Sequence, residues 1–439
     1  MNIRVFSIIS ICLFAAVSAS AQIIVEFASA AQTCQPIHIS APANTGLDQG
    51  IYVVSDTKDL RIKYTTSMPS AVKWYTFSSM GAAYADELTP AGVDSGSTWI
   101  NPTSGDLGYV VEEGGRSHYI WLVDYSGHQF ISGSISSGES SCDMTDLVTT
   151  AKAGEIPYYG INGRRFTLSR EISLVYTTLD WSDDTETFID QQRSVTLDYL
   201  STTLRVPASS CETRYTIEGD RFLRAWGREI SIESPDIQPV AVLAHTSAVQ
   251  HNETSDNEIT SSTPGALGGS APCDITFSAV VSDAAIFHEW QVARSADFED
   301  VMMRAPELDF SHTFSDQGTT YVRLYCANAD ASCEYWSETY EIVIGESMLK
   351  CPNAFTPFNQ DGVNDVWRVT YSSLVEFECH IYNRNGHEIF SFSDPSGGWD
   401  GRYGGKFVPT GAYYYVIKAL GGDGRKYKLA GDINILEYK

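Results

Sequence analysis

The sequence predicts an all-β chain: tandem β-sandwich domains ending in a smaller antiparallel β-sandwich. Three observations predict it. Aromatic residues are 12% of the chain (24 Tyr, 19 Phe, 9 Trp) and favour pleated, half-buried strands. A glycine turn followed by an aromatic–aliphatic strand recurs roughly once per domain length. No long apolar run of helical period competes with it. The 439 residues suffice for three or four domains, at about 100–200 residues each.

Composition sets the outer limits. Hydrophobic residues are 43% and charged residues 19%, which fits soluble globular protein and argues against disorder or a collagen-like repeat. Lys and Arg number 29 against 55 Asp and Glu, a formal net charge of −26. A chain this acidic is repelled by phosphate backbones and anionic membranes, so nucleic acid is not an expected partner.

The first element is an address. Arg4 precedes an apolar run from Val5 to Val17, and Ala19-Ser20-Ala21 follows as an A-x-A cleavage pattern. Residues 1–21 read as a secretory signal peptide, because the run is short of the roughly 20 residues that span a bilayer. Cys12 follows Ile11, where a lipoprotein site wants a small residue. Beyond the signal stand eight cysteines: Cys34, Cys142, Cys211, Cys273, Cys326, Cys333, Cys351 and Cys379. An even number in an exported chain points to disulfides. The favoured pairing uses domain-closing and local loops: Cys34–Cys142, Cys211–Cys273, Cys326–Cys333 and Cys351–Cys379. No C-x-x-C and no finger-spaced His occur, so no metal is expected.

The repeat comes next. YVVEEGGRSHYIWLVDYSG (109–127), YTIEGDRFLRAWG (215–227) and FSDQGTTYVRLYCAN (314–328) share an aromatic, an acidic stretch, a glycine and a strand, with a looser echo in PTGAYYYVIKALGGDG (409–424). Glycine supplies the turn, and Tyr-Ile-Trp-Leu, Phe-Leu-Arg-Ala or Tyr-Val-Arg-Leu then alternates across a half-buried sheet. Each unit also carries an earlier Trp strand: 72–77 with Trp74, 179–181 with Trp181, and 288–292 with Trp290. These three tryptophans are expected in sandwich cores. Trp99, Trp121 and Trp336 lie near loops or on unassigned faces. Phe188 to Arg193 reads as a single helical turn.

SHTFSDQGTTYVRLYCANADASC (311–333) resembles the PKD-type immunoglobulin-like domain, with Phe314 where that family has tyrosine. Internal similarity extends the immunoglobulin-like reading to the first two units. The expected organisation is a signal peptide (1–21), immunoglobulin-like units at 22–145 and 146–250, a Ser/Thr/Gly/Asn-rich linker or long loop (251–270), a PKD-like unit (271–345) and a C-terminal domain (346–439).

The C-terminal domain is the most specific segment. Its ordered pieces are Pro352-Asn353-Ala354-Phe355-Thr356-Pro357, Asp361-Gly362-Val363-Asn364-Asp365, Ile381-Tyr382-Asn383-Arg384 with Gly386, Trp399-Asp400-Gly401, and Pro409-Thr410-Gly411-Ala412-Tyr413-Tyr414-Tyr415. Together they resemble the gliding-motility-associated C-terminal domain, the type B sorting domain of the type IX secretion system of Bacteroidota. Phe358, Gln360 and Asn385 depart from its usual loops. The residues themselves read as alternating strands joined by Asn-Gly, Asp-Gly and Gly-Gly turns, with Tyr413 and Tyr415 on one face and Tyr414 and Val416 on the other. The resemblance implies a folded signal handled by the outer-membrane translocon and its partner barrel proteins, and a chain exported through the periplasm to the cell surface or extracellular space.

Other chemistry is sparse. Asn359, Asp361, Asn364 and Asp365 crowd oxygens round the Gly362 turn, as calcium loops do, but the distal glutamate of an EF-hand is missing. The preferred reading is a turn whose Asx side chains bond their own backbone. No H-E-x-x-H, G-x-S-x-G, Walker loop or G-x-G-x-x-G occurs, and no cofactor is expected. Acid pairs such as Asp183-Asp184 read as solvated turns. The leading reading is a non-enzymatic exported protein whose immunoglobulin-like domains serve adhesion or binding of a protein or glycan ligand. A structural or accessory envelope component is the alternative. A glycoside hydrolase or peptidase with an unrecognised site ranks behind both.

Overall fold

The computed structural model describes residues 23–29, 33–251, 255–260 and 266–437. The expected signal peptide lies outside them. Strand makes up 52% and helix 4%, so the chain is all-β.

In the first sandwich, strands Ile23–Phe27, Leu60–Thr65, Ser97–Ile100 and Gly92–Val93 form one sheet. Ile37–Ile39, Ile51–Val54, Arg116–Asp124, Leu107–Glu113, Lys73–Phe77 and Asp86–Leu88 form the other. Trp74 is fully buried between them and donates its indole N–H to the Thr98 hydroxyl (3.3 Å). Ile51–Val54 reads as an unbroken apolar run because its sheet is covered on both faces. Tyr52 and Val54 face the sandwich core, while Ile51 and Val53 face a second core shared with the next unit.

That second core includes Trp121, Val123 and Tyr125 from one side, and Ile156, Tyr158, Leu168 and Phe222 from the other. The hairpin of Ile156–Tyr159 and Arg165–Leu168 supplies most of the covering face. Its turn approaches so closely that a Cβ on Gly163 would meet the Met80 carbonyl at 3.0 Å.

A buried polar cluster sits at this joint. Arg170 and Asp220 are 1% and 0% exposed and pair at 2.6 Å. Arg170 also donates to the carbonyls of Gly154 (2.7 Å) and His128. Tyr125 donates its hydroxyl to the same Asp220 oxygen (2.9 Å). The other Asp220 oxygen accepts the amides of Phe222 (3.1 Å) and Leu223 (3.0 Å), capping the one-turn helix Arg221–Ala225. This cap corrects one expectation. Phe222 to Ala225 is helix, not the strand the repeat implied, because Asp220 stands where an N-cap is needed.

The second sandwich pairs Ile135–Ser140, Met144–Thr149 and Thr203–Pro207 in one sheet, so its strands begin before residue 146. Its other sheet carries Thr187–Leu197, Ile172–Ser182, Thr216–Glu218 and Ser231–Glu233. Phe188 to Arg193 is strand, not a helical turn, because Thr187–Leu197 pairs with Ile172–Ser182 along its whole length. Trp181 lies towards the outer end of this hairpin. It is half-buried rather than in the core, and stacks on His245 at 3.6 Å, from the strand Ala244–Gln250 of the third sandwich.

The third sandwich starts upstream of residue 271, because Ala244–Gln250 pairs with Cys273–Val281 and Leu267–Gly269 pairs with Tyr340–Ile344. Trp290 is fully buried there against Phe277 and donates to the Leu308 carbonyl (3.1 Å).

A disulfide Cys142–Cys333 ties the second sandwich to the third across 191 residues. It overturns the pairings Cys34–Cys142 and Cys326–Cys333. Cys142 sits on the turn before Met144–Thr149, and Cys333 just before Glu334–Trp336, so the two loops meet between units. Cys34, Cys211, Cys273, Cys326, Cys351 and Cys379 are thiols, so neither Cys211–Cys273 nor Cys351–Cys379 is formed. Cys273 and Cys326 are buried in the third core, whereas Cys211 belongs to the second sandwich beside Thr177.

Replacing Asp220 by Ala leaves Arg170 charged and unpaired in the interior, with an expected loss of about 3–5 kcal/mol in urea unfolding. Tyr125→Phe removes one hydrogen bond and should cost about 1 kcal/mol.

Candidate functional site

The C-terminal domain is built on the sheet Leu374–Tyr382, Gly411–Gly421 and Lys426–Ile435, flanked by Glu388–Phe392 and Ala354–Phe355. Its motif residues converge on one knot. Trp367 and Trp399 are fully buried and exchange backbone hydrogen bonds (2.8 and 3.0 Å). Trp367 donates its indole N–H to the Pro352 carbonyl (2.7 Å), and Trp399 to the Arg402 carbonyl (2.9 Å). Phe355 and Tyr413 pack on Trp399 at 5.5 and 5.3 Å. The Tyr413 hydroxyl bonds the Pro409 carbonyl (3.0 Å). The Asn353 carbonyl accepts the Asn434 amide (2.8 Å). Gly401 has φ +76, and a Cβ there would meet Pro357 at 2.9 Å. The motif thus reads as core and turn chemistry. Trp367 was missed as a motif residue, although its place directly after Asp365-Val366 put it in the same block.

Turns take the remaining motif positions. Asn383 accepts the amides of Asn385 (2.9 Å) and His387 (3.1 Å), and Gly386 has φ +78. Asp400 accepts the amide of Arg402 (3.1 Å), and Gly411 takes φ +139. Arg384 lies exposed on the turn between Leu374–Tyr382 and Glu388–Phe392. In the loop weighed for calcium, Asp361 accepts the Val363 amide (2.9 Å), Asp365 accepts the Gly362 amide (2.7 Å), and Asn359 donates to Asp361 (2.8 Å). The Asn364 carbonyl accepts the Thr356 amide (2.8 Å). Among the described residues no group of three or more His, Cys, Asp and Glu is placed to hold a metal ion.

The outer face of this sheet is open. Register places Tyr382, Tyr414 and Asp432 in one row and His380, Val416 and Ala430 in the next, followed by Glu378, Lys418 and Lys428. Tyr414 and Val416 are 47% and 40% exposed. Residues 347–439 hold ten basic and ten acidic side chains, so the chain's excess of acid lies entirely upstream.

A second exposed constellation lies on the third sandwich. The Arg323 guanidinium is stacked between Phe298 (3.9 Å) and Trp336 (4.1 Å), and Tyr325 lies 4.4 Å beyond Trp336. Gln291 accepts from Arg323 at 3.1 Å and fixes its plane. Trp336 keeps 44% of its surface in solvent. Trp121, by contrast, is core, and Trp99 packs under Arg61 (5.1 Å). A groove of about 660 Å³ on the same sandwich is lined by Arg294, Met302, His312 and Phe314, with Asp316 its one acid. Burial lowers the His312 pKa.

Two regions of the chain match family models. Residues 349–435 match the CHU_C type IX secretion signal domain, and residues 134–234 match a fibronectin type III domain. No curated protein matches the chain. Similar solved structures include the three N-terminal domains of the Hoc outer capsid protein of bacteriophage RB49. There identity is 13%, coverage is 71% of this chain and 100% of that one, and the TM-score is 0.22. Fibronectin(III)-like modules of CbhA from Clostridium thermocellum share 11% identity over 44% of this chain and 94% of theirs, with a TM-score of 0.17. Latent PorU from Porphyromonas gingivalis shares 9% identity over 71% of this chain and 33% of its own, with a TM-score of 0.15. At these values the likenesses carry no weight for function.

The matched regions define the class: an exported all-β protein of immunoglobulin- and fibronectin-like sandwiches with a type IX secretion signal. The signal directs it to the cell surface or extracellular space. Both matched kinds of domain are non-catalytic. No helix among the described residues is long and apolar enough to cross a membrane.

Two outcomes follow from the chemistry of these sites. Burial raises the thiols of Cys273 to about 11 and of Cys326 and Cys379 to about 12. Their alkylation at pH 8 should be at least about 100-fold slower in the native than in the urea-unfolded chain, by mass spectrometry. At Asp423 partial burial works against ionisation, but the Arg425 amide and the Ser347 hydroxyl outweigh it and hold the carboxyl below its ordinary value. That stabilisation is complete above the usual carboxylate range and is lost as pH falls through the lowered value. Hydrogen-exchange protection of the Ser347 amide, which bonds Asp423, should therefore fall below about pH 4.

Proposed function

We propose that the chain is a non-enzymatic surface protein, delivered by the type IX route, that presents a stack of sandwiches for adhesion or ligand binding. The Arg323–Trp336 ladder carries this reading. Trp336, backed by the Arg323 guanidinium and 44% exposed, offers an aromatic contact surface to a glycan or an aromatic-bearing protein segment. The signal domain is handled by the outer-membrane translocon and its partner barrel proteins. A structural envelope role is the second reading, favoured by the joints: a disulfide, a shared core and a buried ion pair lock successive sandwiches together.

The test is binding of purified chain to glycan and surface-protein arrays. A Trp336→Ala chain should lose binding by about tenfold or more while its thermal midpoint stays within about 2 °C of the parent. Unchanged binding in that variant overturns the ladder as the contact. Turnover of a glycan or peptide by the parent chain overturns the non-enzymatic reading.

A further inference from the structure

The signal domain is joined to the third sandwich along three separate chain segments. The covalent connection is short: Tyr340–Ile344 ends one unit, and Met348–Lys350 begins the next. Both ends of the intervening stretch are held. The Gly345 amide bonds the Gly269 carbonyl (2.9 Å). Ser347 is 6% exposed, and its hydroxyl bonds Asp423 (2.8 Å) and Tyr427 (2.8 Å).

The second segment is Ser270-Ala271. The Ser373 amide donates to the Ser270 hydroxyl (2.7 Å), and the Ala271 amide donates to the Ser373 hydroxyl (3.3 Å). Close by, the Gln317 amide bonds the Gly422 carbonyl (3.0 Å), and Val375 packs into the third core.

The third segment lies in the stretch 251–270, expected to be a linker or long loop. Residues 255–260 instead lie along the signal domain as an added extended segment. The Tyr371 amide bonds the Asn257 carbonyl (3.1 Å), and the Ile259 amide bonds the Tyr371 carbonyl (2.8 Å). The Asn257 side chain donates to the carbonyls of Val369 and Pro395 (both 2.8 Å).

A protease needs an extended segment free to enter its cleft, and cleavage of folded chain waits on local opening. Among the described residues this junction has no such segment. Opening it means breaking the Ser347–Asp423 bonds together with the Ser270–Ser373 pair. We propose that residues 347–439 are a permanent domain of the exported protein: the signal is read while docked on the third sandwich and is not removed at its junction. This inference rests on the type IX reading.

The experiment is peptide mapping of the protein recovered from the surface and medium of the source bacterium. Peptides from residues 406–437 should equal those from 273–344 in abundance. Exported chain ending near residue 346 overturns the inference while leaving the export reading intact. Absence of the chain from both fractions overturns the export reading, and the inference with it. A second measurement needs no export. Purified full chain is treated with a Glu-specific protease, which can cut after Glu346. The native chain should resist there, and Asn257→Ala with Asp423→Ala should speed that cut by about tenfold or more. Cutting at equal rates in both chains overturns the docked junction.

Discussion

The architecture depends first on the buried Arg170–Asp220 pair. One carboxylate serves three partners: the guanidinium that crosses the joint, the Tyr125 hydroxyl from the first sandwich, and the N-terminus of the helix that closes the second. A charge this deeply buried is tolerated only when every partner is in place, so the cluster selects one docking of the two units. The shared apolar core around Trp121 and Tyr158 supplies the contact area, and the ion pair sets its register. Burial also raises the Tyr125 pKa, with the Asp220 charge adding to it, so the phenol remains a donor.

Further along the chain the joints change character. Between the second and third sandwiches the ties are covalent and aromatic, Cys142–Cys333 and Trp181 on His245. Between the third and the signal domain they are hydrogen bonds, amide to hydroxyl at Ser373 and backbone to backbone at Gly422 and Tyr371. The common outcome is a succession of sandwiches with short, bonded connections. The acidic excess falls on the upstream sandwiches, while the signal domain is charge-balanced.

Much of this was legible in the sequence, for physical reasons that can be named. The all-β class and the Trp74 and Trp290 strands followed from period-two alternation. The C-terminal motifs were legible because each is a local turn or core residue: Gly401 for close approach to Pro357, Asn383 for its turn, Trp399 for the knot. What failed was mostly non-local. The exception is Asp220, whose local N-cap bonds to the Phe222 and Leu223 amides make helix of a strand-like text. Trp181 left the core because its hairpin reaches the next unit. The cysteine pairing depended on two loops 191 residues apart, which no spacing argument reaches. The docking of residues 255–260 on Tyr371 and the strand Leu267–Gly269 both lie within the stretch whose composition suggested a linker or long loop, and both depend on partners far along the chain.

The account's central claim is that the C-terminal domain is the working export signal of this chain. The most direct measurement is surface-protease shaving and fractionation, in the source bacterium, of full-length chain against chain truncated before Leu349. Folding of the truncated form would be checked by its retained Cys142–Cys333 disulfide. The account predicts that full-length chain reaches the surface or medium, and that the folded truncated chain stays in the periplasm. Equal surface exposure of the two would contradict it.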